Sequence, residues 1–244
     1  MIKKDQDILL INKERKYLVK CSGKFSTKYG TVDLDKLIGK KLGSKAKMGS
    51  ESYIAIEPTI VDFLEKGTKR GPQAILPKDA SIILAITGLD SNSIVVDSGT
   101  GSAFLSIFLG SHAKKVYTYE RNEDFAKRAS ENIKRSGLKN IKITNADFSK
   151  CKEKNVDIVT LDMQEPNIKK ARLILKPGGW IAVFCLHMEQ VQNVCTQLEP
   201  GFTQPTIVEN IYRPWQCQIG DKTYTRPKTQ MLGHTGILVF ARKI

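Results

Sequence analysis

Four short stretches of this 244-residue chain carry side chains that could do chemistry, and each closes a run of apolar residues. In Asp97-Ser98-Gly99-Thr100-Gly101-Ser102-Ala103-Phe104, the two glycines let the backbone turn tightly and approach a ligand with no Cβ in the way. Tyr119-Glu120-Arg121 puts a carboxylate at a strand end, where nucleotide-binding sheets meet ribose hydroxyls. Asn145-Ala146-Asp147-Phe148 offers a carboxylate for an adenine amino group with an aromatic face beside it, and Leu161-Asp162-Met163-Gln164-Glu165-Pro166 supplies one more acid. Taken singly, each acid is as well explained as a helix N-cap or a surface charge, and glycines after a strand are common. Together, in this order at successive strand ends, they point to an adenosine-containing ligand.

The glycine loop narrows the choice. A dinucleotide fingerprint needs a small third residue so that the helix can lie close to the pyrophosphate, and here that place is held by Phe104. No G-x-x-x-x-G-K-[ST] run is present, which argues against an ATPase. S-adenosylmethionine carries adenosine without phosphate and removes the demand for the third glycine. The expected cofactor set is Ser98, Gly99, Thr100, Gly101, Ser102, Glu120, Arg121, Asp147, Phe148 and Asp162. The five cysteines are scattered and odd in number, without C-x-x-C spacing, so they read as reduced thiols and no metal site is expected.

These strand ends need a sheet to carry them. From about Leu76, apolar strands at 93–97, 115–120, 141–144, 156–162 and 180–185 alternate with helical stretches such as 122–136, stopped at Gly137. That alternation implies an α/β fold with a mainly parallel, doubly wound sheet. Two later runs, 206–213 and 236–242, with only loop expected between them, suggest an antiparallel hairpin at the sheet edge. Before Ala55, short apolar runs broken by Ser22-Gly23 and Gly43-Ser44 read as a small β-unit, and Pro58 to Gly67 reads as a helix. The expected division is a small β-rich domain over 1–56, a connecting helix and loop over 57–75, and the cofactor-binding sheet domain over 76–244.

Charge adds a partner. The chain carries a formal +14, with 41% hydrophobic and 26% charged residues. Residues 1–50 hold 13 Lys or Arg against 5 Asp or Glu, a net of +8. Such a stripe favours a polyanion through counterion release, although a merely solvated surface has the same composition. Lys40, Lys41, Lys45 and Lys47 form one such cluster, and this β-rich unit is expected to bind RNA. No signal peptide or membrane-length apolar run is seen, and a cytoplasmic protein is expected.

The strand-end blocks also resemble those of the tRNA (adenine-N1)-methyltransferase catalytic subunits. Leu161-Asp162-Met163-Gln164-Glu165-Pro166 fits L-D-[LM]-x-[EDQ]-P, and residues 70–79 fit R-G-x-Q-x-I-x-P-K-D. Arg226-Pro227, Met231, Gly233-His234-Thr235-Gly236 and Leu238 fit the closing R-P-x-x-x-M-x-G-H-T-[GA]-x-L. The resemblance spans nearly the whole chain. It implies a class I methyltransferase fold, Rossmann-like, with a seven-stranded sheet, an antiparallel last strand and a small N-terminal β domain. It also implies methyl transfer from S-adenosylmethionine to N1 of an adenine in the tRNA T-loop, at position 58, with archaeal members also using 57. Asp162 is then the catalytic carboxylate, with His187, Arg226 and His234 near the RNA, in a homotetramer. The chain departs from the family at Leu76, Ala103, Asn167 and Leu186, where an aromatic, Gly, Trp and Pro are usual, so the base pocket is expected to differ in shape.

Other chemistries fit these residues less well. An adenine-N6 enzyme requires [DN]-P-P-[YFW] at Asp162, which is absent; Cys185, the one candidate for a cytosine-C5 nucleophile, lies inside an apolar run. A protein isoaspartyl methyltransferase leaves the basic β-unit unexplained. Another methyltransferase of RNA or protein, or a non-catalytic tRNA-binding subunit, stays as the alternative. Tyr212 and Trp215 are open between core packing, a subunit interface and RNA contact, and His187 between lining the base pocket and starting a helix.

Overall fold

The computed structural model describes residues 1–68, 74–220 and 222–244, so Arg70 to Gln73 of the block before the sheet lie outside the described residues. The chain divides into two compact units, 1–68 and 69–244.

In the first unit, strands β1 (Asp7–Ile11), β2 (Lys16–Lys20), β3 (Lys24–Thr27), β4 (Gly30–Asp33), β5 (Lys45–Met48) and β6 (Glu51–Ile56) are short and antiparallel. Four form a sheet in the order β2-β1-β6-β5, and β3 pairs with β4. Alternation sets the faces: in β5, Ala46 and Met48 are buried while Lys45 and Lys47 point outward. Ile8, Leu10, Leu34, Leu37, Met48 and Tyr53 fill the core. Helix α1 (Ile60–Lys66) starts at Thr59, whose side chain and that of Asp62 cap each other's backbone amides. Expected as part of a connector, α1 instead packs on this unit, with Lys16 Nζ 2.9 Å from Asp62 and 2.7 Å from Glu65.

The second unit opens with α2 (Pro77–Thr87), whose first residue is a proline preset for the helix. Then follow β7 (Ile94–Ser98), α3 (Phe104–Gly110), β8 (Lys115–Glu120), α4 (Glu123–Ser136), β9 (Ile141–Asn145), β10 (Val156–Leu161), α5 (Ile168–Ile174), β11 (Leu175–Cys185) and α6 (Met188–Leu198). β12 (Thr206–Glu209), β13 (Trp215–Gln218), β14 (Tyr224–Pro227) and β15 (Ile237–Arg242) complete it. The sheet order is β12-β15-β11-β10-β7-β8-β9, parallel except that β15 runs against both neighbours. The central strands are near-continuous apolar runs because helices cover both faces. Helix α4 buries Ala126, Ala129, Asn132 and Ile133 on one stripe, begins at Asn122 and stops at Gly137 in the left-handed conformation.

Two sequence expectations need correction. The stretch between the last two sheet strands is not only loop, because β13 and β14 pair there as a separate ribbon. The fifth strand begins at Leu175, five residues early, with a register shift opposite Val156 to Ile158. The ladder is irregular there, Val156 pairing with Leu175 and Ile158 with Trp180. Tyr212 and Trp215 are exposed, which removes the core reading.

Candidate active site

A hydrogen-bonded scaffold fixes the ends of the central strands. Asp97 of β7 is buried, and its carboxylate accepts from Thr160 on β10 at 2.6 Å, Thr118 on β8 at 2.9 Å and Ser106 on α3. Burial pushes the Asp97 carboxyl up; the three hydroxyls oppose that. Removed from solvent and fully engaged, Asp97 is structural: it ties the strands whose next residues face the ligand.

Those residues line one cavity of about 800 Å³, within the range usual for small-molecule sites. Ser98, Gly99, Thr100, Gly101, Ser102, Glu120, Arg121, Asp147, Phe148, Asp162 and His187 all face it. Gly99 has a positive φ of +87°, and a Cβ there would lie 1.8 Å from the Asp162 carbonyl oxygen. Its glycine therefore serves the approach of the loop to the β10 end, not room for a ligand. At Gly101 a Cβ would meet only the Gly99 carbonyl oxygen, at an ordinary contact distance of 3.9 Å, so a ligand can come close there. The Gly101 N–H donates to Glu120 at 2.9 Å, and the other Glu120 oxygen accepts from the Asn122 N–H. Glu120 thus links the loop to the β8 end and is not a helix cap, since Asn122 caps α4.

Asp147 does cap a local turn, accepting from Ser149 N–H at 2.9 Å. Hydrogen bonds from Ser149, aided by Arg121 and Lys150, hold its carboxyl below the ordinary value. The Phe148 ring is 2% exposed and meets Tyr119 edge-on at 6.4 Å, so it is core beneath the wall more than a free stacking face. Asp162 differs from the other acids. Asn167 caps the helix that follows, and among the described residues the Asp162 carboxylate has no hydrogen-bond partner. Burial, then the charges of Asp97 and Glu120, push this carboxyl up to about 7. A carboxylate that the fold leaves unsatisfied at a cavity wall is available to a ligand.

The other lip is built from segments far apart in sequence. Gly236, at φ +153°, makes room for the Phe184 ring, which a Cβ would approach to 2.3 Å. Lys78 Nζ donates to Asp79 and Thr235, each at 2.7 Å, and to the Asn210 carbonyl; Thr235 in turn donates to buried Asp79 at 2.9 Å. The P-K-D and G-H-T-G blocks are therefore one cluster that locks the start of α2 to the entry of β15. His234 joins Glu209 at 2.6 Å and the Leu186 carbonyl at 3.2 Å, and the Glu209 contact raises its pKa. It braces the lip from outside the cavity. His187 caps α6, its ring nitrogen accepting from the Gln190 N–H at 3.3 Å, and also lines the cavity.

Arg226 stands on the exposed β14 and does not line the cavity; Lys40, Lys41, Lys45 and Lys47 are exposed on the first unit. Sequence reasoning missed Phe104, Phe125, Met163, Glu165 and Gln190 in the lining. Phe104 was legible only as an obstacle to pyrophosphate, and Gln190 carried no signal. Among the described residues, no group of three His, Cys, Asp or Glu could hold a metal ion, and no helix is long and apolar enough to cross a membrane.

The strand order, the antiparallel β15 and the row of acids beyond the parallel strand ends define a class I methyltransferase. Residues 68–221 match the family model described as tRNA methyltransferase complex GCD14 subunit. The chain belongs to that family. It is 33% identical to the tRNA (adenine(57)-N(1)/adenine(58)-N(1))-methyltransferase TrmI of Methanocaldococcus jannaschii, over 96% of this chain and 94% of the relative. The crystal structure of the tRNA (m1A58) methyltransferase TrmI from Aquifex aeolicus superposes with a TM-score of 0.86 at 30% identity, covering 99% and 98% of the two chains. A SAM-dependent O-methyltransferase from Thermotoga maritima gives 0.90 at 30% identity, covering 99% and 94%.

Proposed function

We propose that this chain transfers a methyl group from S-adenosylmethionine to N1 of an adenine in the tRNA T-loop, at position 58 and, as in the archaeal relative's name, also 57. One observation carries the reading: the Asp162 carboxylate has no partner among the described residues and faces a cavity lined also by the glycine loop, Glu120 and Asp147.

The residues present fit the cofactor. Glu120, Asp147, Asp162 and Glu165 line the cavity, and among the described residues Arg121 is the one Lys or Arg facing them, in a chain whose formal charge is +14. That inversion suits a cationic ligand and disfavours phosphate. Glu120 would take the ribose hydroxyls, Asp147 the adenine amino group, and the 98–102 loop the remainder. S-adenosylmethionine, when bound, supplies an electrophilic methyl group. A positive charge nearby favours ionised Asp162. The ionised carboxylate accepts from the exocyclic amine of the target base, which raises electron density at N1 and stabilises the positive charge that the ring acquires. N1 carries a lone pair, so no strong base is needed, and positioning supplies most of the acceleration. Because N1 lies on the pairing edge, the base leaves its stack to enter.

Phosphates are repelled by such a cavity, so the RNA backbone is held elsewhere, through Lys40, Lys41, Lys45 and Lys47 and through Arg226. A homotetramer working in the cytoplasm is part of the same reading; the exposed apolar residues Ile211, Tyr212, Trp215 and Leu232 supply surface for subunit contact. The test is to incubate the protein with labelled cofactor and unmodified tRNA and map the product by mass spectrometry. 1-Methyladenosine at 58 supports the reading. A ribose or other O-methyl product, or no product with wild-type protein that binds the cofactor, overturns it.

A further inference from the structure

Gln190 sits in the first turn of α6, where a glutamine ordinarily faces water, yet it is 8% exposed. Each hydrogen-bonding group of its amide has a backbone partner in the cavity wall. Nε2 donates to the Met163 carbonyl at 2.9 Å and to the Gln164 carbonyl at 3.3 Å. Oε1 accepts from the Leu186 N–H at 3.0 Å. Met163 and Gln164 follow Asp162 beyond β10, and Leu186 lies between the end of β11 and His187. One side chain therefore bridges the exits of two neighbouring strands, at the point where both leave the sheet and the ladder between them, last paired at Leu161 and Val183, no longer holds them.

We infer that Gln190 is a positioning residue for the methyl acceptor: it sets the spacing between the Asp162–Gln164 segment and the Leu186–His187 segment, and so the width of the slot that the base enters. The inference rests on the methyl-transfer reading above. The cofactor loop, Glu120 and Asp147 hang on Asp97, Asn122 and Ser149, none of which Gln190 touches. Loss of the bridge therefore acts first on the acceptor side, while the Asp162 backbone keeps its own bond to the Ser98 carbonyl. A misplacement of about 1 Å at a reacting centre costs on the order of 100-fold in rate, and this bridge is what ties the two segments against such a shift.

The experiment compares wild type with Gln190→Met and Gln190→Glu in the full-length protein. Gln190→Met removes all three hydrogen bonds at similar volume. We expect single-turnover methyl transfer to fall by about 30- to 100-fold, with S-adenosylmethionine affinity by calorimetry within twofold of wild type. Gln190→Glu keeps the acceptor for Leu186 but, when ionised, loses the donors to Met163 and Gln164. Its rate relative to wild type at the same pH should climb as pH is lowered and the carboxyl regains a proton to donate. A ratio that stays flat across pH, a Gln190→Met rate within threefold of wild type, or cofactor affinity falling in parallel with rate each overturns the inference. Inactive wild-type protein overturns the methyl-transfer reading instead, so the two failures are distinct.

Discussion

Replacing Asp162 by Asn should make the protein more stable while stopping it from working, and the gain should depend on pH. The carboxyl stands at about 7 in the folded chain against an ordinary 3.8, because it is withdrawn from water beside Asp97 and Glu120 and no hydrogen bond compensates. A raised folded-state pKa means that the native state binds this proton more tightly than the unfolded chain. Its contribution is fully present below about pH 4 and is lost as pH climbs through 7. Each tenfold difference in proton affinity corresponds to about 1.36 kcal/mol, so keeping an acid at this position costs the fold about 2 kcal/mol at pH 5 and about 4 kcal/mol at pH 8. Asparagine keeps the shape and the backbone N–H bond to the Ser98 carbonyl while removing that cost. The variant should therefore melt above wild type by roughly 4–8 °C at pH 5 and 8–16 °C at pH 8, using 2–4 °C per kcal/mol for a domain of this size. Calorimetric scans of both proteins across pH 5 to 8, without cofactor, measure it. Methyl transfer should fall by at least about 100-fold, the usual consequence of losing one aimed electrostatic group. An equal difference in Tm at all pH values, or a variant that melts lower, refutes the view that Asp162 is held at a cost for the sake of its ligand.

Three further outcomes follow from particular positions. Ala103 is buried with φ +63°, a conformation costly for a side chain, so Ala103→Gly should add about 0.5–1 kcal/mol of stability by urea unfolding. Glu120→Ala should weaken S-adenosylmethionine binding by about 1.5–3 kcal/mol in calorimetry, and also lower Tm because the Gly101 and Asn122 amides lose their acceptor. Neutralising Lys40, Lys41, Lys45 and Lys47 together should weaken tRNA binding across sequences and flatten its salt dependence by roughly 0.7–0.9 for every phosphate no longer neutralised. Cofactor affinity should hold; an unchanged salt slope would mean that these lysines are only a solvated face.

The cofactor half of the cavity was legible because its signals are local. Gly99-Thr100-Gly101, Glu120 and Asp147, and the Asp162 that both halves share, each end or closely follow a strand, and strand ends on one edge of a parallel sheet converge by construction. Even there, pattern did not reveal cause: Gly99 makes room for the Asp162 carbonyl, and Phe148 turns into the core. The acceptor half was hidden because it is assembled over long separations. Lys78 and Thr235 lie 157 residues apart, and the Phe184 ring takes the space that a Cβ at position 236 would fill. Gln190 belongs to the amphipathic pattern of α6 and reads as a surface position. The β13–β14 ribbon escaped notice because two four-residue strands with exposed faces leave little apolar alternation to find.

The place of β15 has a consequence for the making of the protein. It is the last of the seven sheet strands to be synthesised, yet it lies inside the sheet, between β11 and β12. While the ribosome is still translating residues 200–236, β11 presents an open edge of apolar residues, among them Ile181, Val183 and Cys185, that only residues 237–242 can cover. A nascent chain paused there is exposed to aggregation and to proteases, and contacts this distant in sequence form late. When β15 docks, it closes that edge, seats Gly236 under Phe184 and brings Thr235 to Lys78. The acceptor lip is thereby completed in the same step as the sheet, so a product truncated before residue 237 lacks both at once.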